Sequence, residues 1–286
     1  MSKELIIEFA AYLRQAKRSD STIIAYTKDL DQLIAYSQIA VHDLDKDQLQ
    51  KVINKLTTDF GFTPKTLSRK LNSFRMFYKF LMELGKVTHN PAELIEHPRF
   101  IPKQPRVLSQ MEYLALLQIT NNNKRLYTMI ELMLQTGIRI GELSRLQIED
   151  VKWGDKPSIF ISKYSTNPER HVPINTKLAS ELKEYMDTLP ERFGPKTPLF
   201  PTREGKAIII RNIRSSIDRA MQKCGIKNAC VNDLRNTFIV AQLSAGVPID
   251  LIADVVGHRS RVTTNKYLTL LEKPYKASGN NQIVEL

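Results

Sequence analysis

The chain has 286 residues, 42% of them apolar and 25% charged, which suits a soluble protein of two domains, or one large one, each with its own core. No apolar run reaches about 18 residues, so no transmembrane helix is expected. The start, MSKELIIEFA, is interrupted by Glu4 and Glu8 and does not read as a signal peptide. Cys224 and Cys230 are the two cysteines; they make neither a disulfide framework nor a zinc site, and a cytoplasmic protein is expected. The net charge is +12 and uneven: residues 1–98 hold 14 basic against 12 acidic side chains, residues 99–286 hold 28 against 18. A basic surface of that size favours a polyanion, of which nucleic acid is the commonest.

In chain order, the first part predicts helices. Asp20, Ser21 and Thr22 offer N-caps before a stripe of Ile23, Tyr26, Leu30, Leu33 and Ile34. A short amphipathic pattern follows over 44–56. Thr63-Pro64 opens a further helix with a cap and a first-turn proline. Its apolar stripe is Leu67, Leu71, Phe74, Tyr78 and Leu81, and Gly85 sits where a C-terminal cap belongs. The opposite face carries Lys65, Arg69, Lys70 and Lys79, a solvated face that in a basic protein can also track phosphates. Pro91, Pro98, Pro102 and Pro105 then stop helices and favour extended chain. With Arg99 and Lys103 between the prolines and Arg106 after the last, residues 98–107 read as a basic interdomain linker able to lie along DNA. The division is 1–97, a helical DNA-binding domain; 98–107, the linker; and 108–286, a second domain with a tail at 273–286.

The second domain opens on a capping box, Ser109 and Glu112. Helical segments are predicted over 126–135, ending at Gly137, and around 139–146. SIFISK (158–163) and RHVPI (170–174) alternate about a polar turn and predict a β-hairpin. Helices follow over 178–189, 210–224, 231–245 and 249–256. Residues 273–281 read as a polar tether. Ile283, Val284 and Leu286 then restore apolar character at the terminus, which frays unless it docks.

No P-loop, GxGxxG, HExxH or metal-spaced carboxylate cluster occurs. Phosphodiester chemistry without a metal needs a nucleophile, cationic donors for the pentacoordinate phosphorane, and an acid for the leaving oxygen. Arginine suits the donor role because its planar fork gives two hydrogen bonds to phosphate oxygens. Three segments offer such groups: TGIRIGELSRL with Arg139, NDLRNTF with Arg235, and VVGHRSRVTTNKYLTL with His258 and Tyr267 nine positions later. Taken singly, each has a structural alternative. Arg139 fits a helix-end partner of Glu142, Arg235 a surface partner of Asp233 or Asp250, His258 a helix-terminal cap, and Tyr267 a half-buried core tyrosine.

Taken together and in this order, the segments resemble the tyrosine recombinases of the phage integrase family, and the resemblance covers nearly all of the chain. TGIRIGEL is similar to the segment of the family's first arginine, DLRNTF to that of the second, and VVGHRSRVTTNKY to the segment that ends in the nucleophile. SKYSTNPERHVPI resembles the mobile hairpin whose lysine is the general acid, with Lys156 as a nearby alternative to Lys163. Residues 20–96 look like the family's helical core-binding domain. One position departs: the family usually has His, sometimes Lys, three residues before the second arginine, and here it is Asn232. An amide can donate to a phosphate oxygen but cannot shuttle a proton near neutral pH.

The resemblance implies a mainly α, two-domain C-shaped clamp on DNA, with a small antiparallel hairpin or sheet in the catalytic domain. It implies a catalytic set of Arg139, Lys163, Asn232, Arg235, His258 and Tyr267, and phosphate contacts from Lys65, Arg69, Lys70, Lys79, Arg99 and Lys103. The reaction implied is cleavage and rejoining through a 3′-phosphotyrosyl link and a Holliday junction, with no metal and no ATP. The partners implied are duplex DNA with an inverted-repeat core site and three further copies in a tetrameric synapse, the free protein being monomeric. With no obvious arm-binding domain before the helical one, a minimal recombinase is expected. Integration, cointegrate resolution and dimer resolution all fit, and Asn232 favours a mobile element. The resemblance also implies that the apolar C-terminus docks on a neighbouring subunit, against the simpler alternatives of fraying or self-docking.

Overall fold

A computed structural model describes residues 2–164, 167–278 and 282–286. The chain divides into two compact units, one ending at Lys103 and the other beginning at Gln104.

The first unit is four helices: α1 (Ser2–Gln15), α2 (Asp20–Tyr36), α3 (Lys46–Phe60) and α4 (Pro64–Glu83). Ser19, one residue before the expected caps, accepts the Thr22 amide at 3.3 Å and starts α2, leaving Asp20 in the first turn, where a negative charge suits the helix dipole. A capping box of Asp45 and Gln48 starts α3, and Thr63 with Pro64 starts α4 as expected. Phe9, Leu13, Leu30, Leu33, Leu49, Leu56, Leu71, Phe74, Phe77 and Leu81 fill the core, with Phe9 edge-on to Phe77 at 5.4 Å. Tyr78 is fully buried and donates its hydroxyl to the Val41 carbonyl at 2.7 Å, so its one polar atom is satisfied.

The basic face of α4 is not uniform. Lys65 and Lys79 are exposed, but Lys70 is buried. Its ammonium lies 2.7 Å from Oδ1 of Asp29 in α2, and Arg69 donates to both oxygens of the same carboxylate, to Oδ1 at 2.9 Å. Asp29 is 2% exposed and also accepts from Ser73. A buried carboxylate needs such partners, so Lys70 is spent on Asp29 and presents no free phosphate-binding surface, while Arg69, paired with the same carboxylate, stays 44% exposed. Arg99 and Lys103 are exposed.

The second unit runs α5 (Gln110–Thr120), α6 (Lys124–Thr136), α7 (Ile140–Leu143), a 3-10 turn (Ile148–Asp150), β1 (Val151–Lys152), β2 (Ser158–Ile161), β3 (Arg170–Pro173), α8 (Thr176–Asp187), α9 (Ile210–Lys223), α10 (Val231–Ser244), α11 (Ile249–Val256), α12 (Arg261–Asn265) and a 3-10 helix (Lys266–Leu270). The expected hairpin is the β2–β3 pair of a three-stranded antiparallel sheet, order β1-β2-β3, with Ile159 opposite Val172 and Ile161 opposite Arg170. Ile159, Ile161 and Val172 point inward and are buried, as the strand period of two requires. Strand β1, two residues long, is too short to carry a periodic signal. Residues 165 and 166 of the hairpin turn lie outside the described residues.

Helix α10 is the axle of this unit. Eleven of its residues, from Val231 to Leu243, are buried, the polar Asp233, Arg235, Asn236, Thr237 and Gln242 among them. Every polar group on such a helix must find a partner inside the protein, and these partnerships build the site. Among the described residues no helix is long and apolar enough to cross a membrane.

The C-terminal residues lie on the chain's own second unit. Gln242 donates to the Val284 carbonyl at 2.6 Å and accepts the Val284 amide at 2.8 Å, while the Leu286 amide donates to Gln135 at 3.2 Å. Ile283, Val284 and Leu286 pack against the core. In the single chain the terminus is therefore self-docked; the tether residues 279–281 lie outside the described residues.

Candidate active site

Gly137 ends α6 in the left-handed conformation, φ 61°. A Cβ there would sit 2.5 Å from the Phe238 ring and 3.1 Å from Val256, so only glycine both makes the turn and lets α6 close on α10 and α11. Arg139 follows in extended backbone at the N-cap of α7. Its guanidinium donates to Glu142 at 3.1 Å, to the Val256 carbonyl at 3.1 Å and to the Gly257 carbonyl at 2.8 Å. The side chain stays 31% exposed.

Glu142 does accept from Arg139, as the structural alternative has it, but it has a second and closer partner. Arg170, on β3, grips the carboxylate with both terminal nitrogens at 3.0 and 2.9 Å and donates Nε to the Val255 carbonyl at 2.7 Å. The Glu142 and Arg170 side chains are 2% and 8% exposed. Burial pushes the Glu142 carboxyl up, but the hydrogen bonds and charge of Arg170 outweigh it and hold the group below the usual carboxylate range. Gly257 ends α11 at φ 66°, and a Cβ there would meet the Arg170 guanidinium at 2.9 Å.

Arg235 is not a surface partner of Asp233 or Asp250. It is 4% exposed and donates to the Gly137 carbonyl and, at 2.8 Å, to the Val256 carbonyl. Arg139 and Arg235 therefore share the carbonyl of Val256, at the C-terminal end of α11 where carbonyls lack helical partners and the dipole favours cations. Burial and the charge of Arg139 push Arg235 down to about 9, which leaves it a cation at neutral pH. Two bound guanidiniums with five N–H donors each retain donors for an anion.

His258 follows Gly257 directly. Its Nδ1 lies 2.8 Å from the Thr264 hydroxyl, and its backbone amide donates to Ala253 at 2.8 Å. Burial, with the charges of Arg235, Arg139 and Arg170, pushes the ring down to about 4. It is therefore a neutral imidazole at pH 7, with one donor and one acceptor nitrogen. Tyr267, in the 3-10 helix, stacks on this ring at 6.3 Å between centroids. Its hydroxyl donates to Asn236 at 2.9 Å. Burial raises the phenol, and the charges of Arg235 and Arg139 partly offset that.

Four of the six residues read from the sequence thus gather around one end of α11: Arg139, Arg235, His258 and Tyr267. Asn232 is exposed in the first turn of α10, one helical turn before Arg235. Lys163 is exposed just beyond β2. The alternative Lys156 precedes β2 at its other end and borders a cavity with the C-terminal residues Ile283 and Val284. Arg170 and Asn236 were not singled out by the sequence reading. Arg170 opens the RHVPI strand and is invisible until its register places it over Glu142; Asn236 is masked by its buried neighbours.

The second unit is thus mainly helical with a small antiparallel sheet, and it gathers two arginines, an imidazole and a phenol around one helix end. Two family models match, "Phage integrase family" over residues 106–273 and "Phage integrase, N-terminal SAM-like domain" over residues 6–85. A tyrosine recombinase of Pseudothermotoga lettingae is 28% identical over 281 residues, 95% of each chain. The tyrosine recombinase XerD of Staphylococcus saprophyticus is 29% identical over 277 residues, 92% of each chain. Among solved structures, a lambda integrase dimer bound to a COC′ core site superposes with a TM-score of 0.76 at 15% identity, covering 93% of this chain and 76% of that one. The chain belongs to the phage integrase family and is a tyrosine site-specific recombinase.

Proposed function

We propose that Tyr267 is the nucleophile of this recombinase and that Arg139 and Arg235 hold the scissile phosphate. The observation that carries the reading is the convergence of both guanidiniums on the Val256 carbonyl, beside a neutral His258 stacked on Tyr267. In the reaction the Tyr267 oxygen attacks phosphorus and gives up its proton to the neutral His258 beside it, the bond to the 5′-oxygen breaks, and a 3′-phosphotyrosyl link forms. The two arginines stabilise the charge that grows on the non-bridging oxygens. Lys163 delivers the proton to the departing 5′-oxygen, and Asn232 donates a hydrogen bond to the phosphate without exchanging a proton. The released hydroxyl then attacks the phosphotyrosyl link on a partner duplex. Bond energy stays in the ester, so neither ATP nor a metal is called for.

The substrate in this reading is duplex DNA with an inverted-repeat core site, contacted by both domains and recombined in a homotetramer through a Holliday junction. Lys65, Arg69, Lys79, Arg99 and Lys103, all exposed, contact backbone phosphates; Lys70 is left out because it is buried against Asp29. The transaction served is cointegrate resolution or integration of a mobile element, or dimer resolution. A nicked suicide duplex carrying the core site tests the chemistry. Wild type traps a covalent adduct, and Tyr267→Phe binds the same DNA without one. An adduct on another tyrosine sinks the assignment; no adduct at all means a silent DNA binder, and relaxation of supercoils without site preference means a topoisomerase.

A further inference from the structure

Tyr267 donates its hydroxyl to the side-chain oxygen of Asn236 at 2.9 Å, and Asn236 is 4% exposed. The orientation of that amide is set by what surrounds it. Its nitrogen donates to Asp233 at 2.9 Å and to the Arg106 carbonyl at 3.2 Å, both pure acceptors when Asp233 is ionised. Asp233 is fixed in turn by the Cys230 amide at 2.8 Å, in the capping box that starts α10. Both donor hydrogens of Asn236 are thus committed on one side, so its oxygen must face Tyr267 and Tyr267 must be the donor.

The direction of this bond has a chemical consequence. A phenol that attacks phosphorus must lose its proton as it does so, and a neutral amide oxygen cannot take that proton. The Tyr267–Asn236 bond therefore belongs to the resting enzyme and has to be released before attack. We propose that Asn236 is a positioning residue that latches the nucleophile: its oxygen, aimed by Asp233 and by the Arg106 carbonyl, holds the Tyr267 hydroxyl in a protonated resting position. The proposal rests on Tyr267 being the nucleophile.

The test is single-turnover adduct formation on the nicked suicide duplex at saturating DNA, with gel-shift affinity and thermal unfolding measured alongside. Asn236→Leu keeps the volume and removes the acceptor. Loss of one net hydrogen bond from the resting state predicts adduct formation faster by about two- to tenfold, with unchanged affinity and a lowered unfolding temperature. Asn236→Ala repeats the measurement where the leucine variant does not fold. A residue with only a structural role would slow the reaction when removed, so the sign decides. An unchanged or slower rate in a variant that folds and binds overturns the latch. Failure of the nucleophile assignment looks different: wild type itself then gives no adduct, or gives one at another tyrosine, and the latch falls with it.

Discussion

Replacing Arg170 with methionine removes the bidentate partner of a carboxylate that is 2% exposed and leaves Glu142 with Arg139 alone. Breaking a buried ion pair from one side costs on the order of 3–5 kcal/mol, because the surviving charge stays desolvated. Arg139, 3.1 Å away and partly exposed, recovers some of this, so a loss of about 3 kcal/mol is expected. For a domain of this size that corresponds to a fall in Tm of about 6–12 °C. Urea unfolding of Arg170→Met, Glu142→Gln and the double variant measures it as a thermodynamic cycle. If the loss comes from an orphaned carboxylate, neutralising Glu142 restores part of it, and the double variant is more stable than the sum of the single losses predicts. Additive losses, or a single loss below about 1 kcal/mol, the ceiling for an exposed pair, would refute the reasoning. The pH dependence has a definite sign. The folded Glu142 carboxyl titrates below its unfolded value, so its contribution is fully present above the ordinary carboxylate pKa. It is lost as pH falls from there through the lowered folded value, and wild type and Arg170→Met converge in stability on acidification.

Arg139→Ala and Arg235→Ala are each expected to slow adduct formation by about a hundredfold or more, the scale of losing one transition-state donor, while gel-shift affinity changes far less; near-normal cleavage would make that arginine structural. Lys163→Ala should cleave ordinary DNA poorly and recover on a 5′-bridging phosphorothiolate, whose sulfur leaves without protonation; equal defects on both substrates would move the acid elsewhere. His258, pushed down to about 4 by burial and three arginines, stays neutral in the fold while the unfolded chain takes up a proton near pH 6.5. Wild-type stability should therefore fall between pH 6.5 and 4 by more than that of His258→Gln, and parallel titrations of the two would remove this account of the ring.

The segments that end helices were the most legible parts of the chain. Gly137 stops α6, Thr63-Pro64 starts α4 and Ser109/Glu112 caps α5 where local rules put them, because a cap is a contact between residues three apart in sequence. Arg139, Arg235, His258 and Tyr267 were legible as a set because each sits in a recognisable string. What local pattern did not carry was burial of charge. Lys70 looks like a solvent-facing lysine until Asp29, 41 residues earlier, is packed against it. Arg170 looks like an edge-strand cation until α11 is laid across β3. The C-terminal apolar residues announced a need for a partner, but nothing in them named α6 and α10 of the same chain.

Arg139 and Arg235 are held mainly by backbone carbonyls, and this bears on the role proposed for them. A carboxylate partner would compete with phosphate for the same guanidinium with a full charge. The carbonyls of Gly137, Val256 and Gly257 supply only dipoles, so Arg235 keeps its net positive charge and a fixed plane. Glu142 is the exception, and there Arg170 takes up the carboxylate with two hydrogen bonds to Arg139's one side-chain bond. One anion is thus divided between two cations, and Arg139 is left under-neutralised on the side that remains open to solvent. Catalysis by preorganised charge needs donors that are already oriented and not already spent. Gly137 and Gly257, whose carbonyls take part in this holding, lack a Cβ for reasons of packing: on the first it would meet Phe238 and Val256, and on the second the Arg170 guanidinium that engages Glu142.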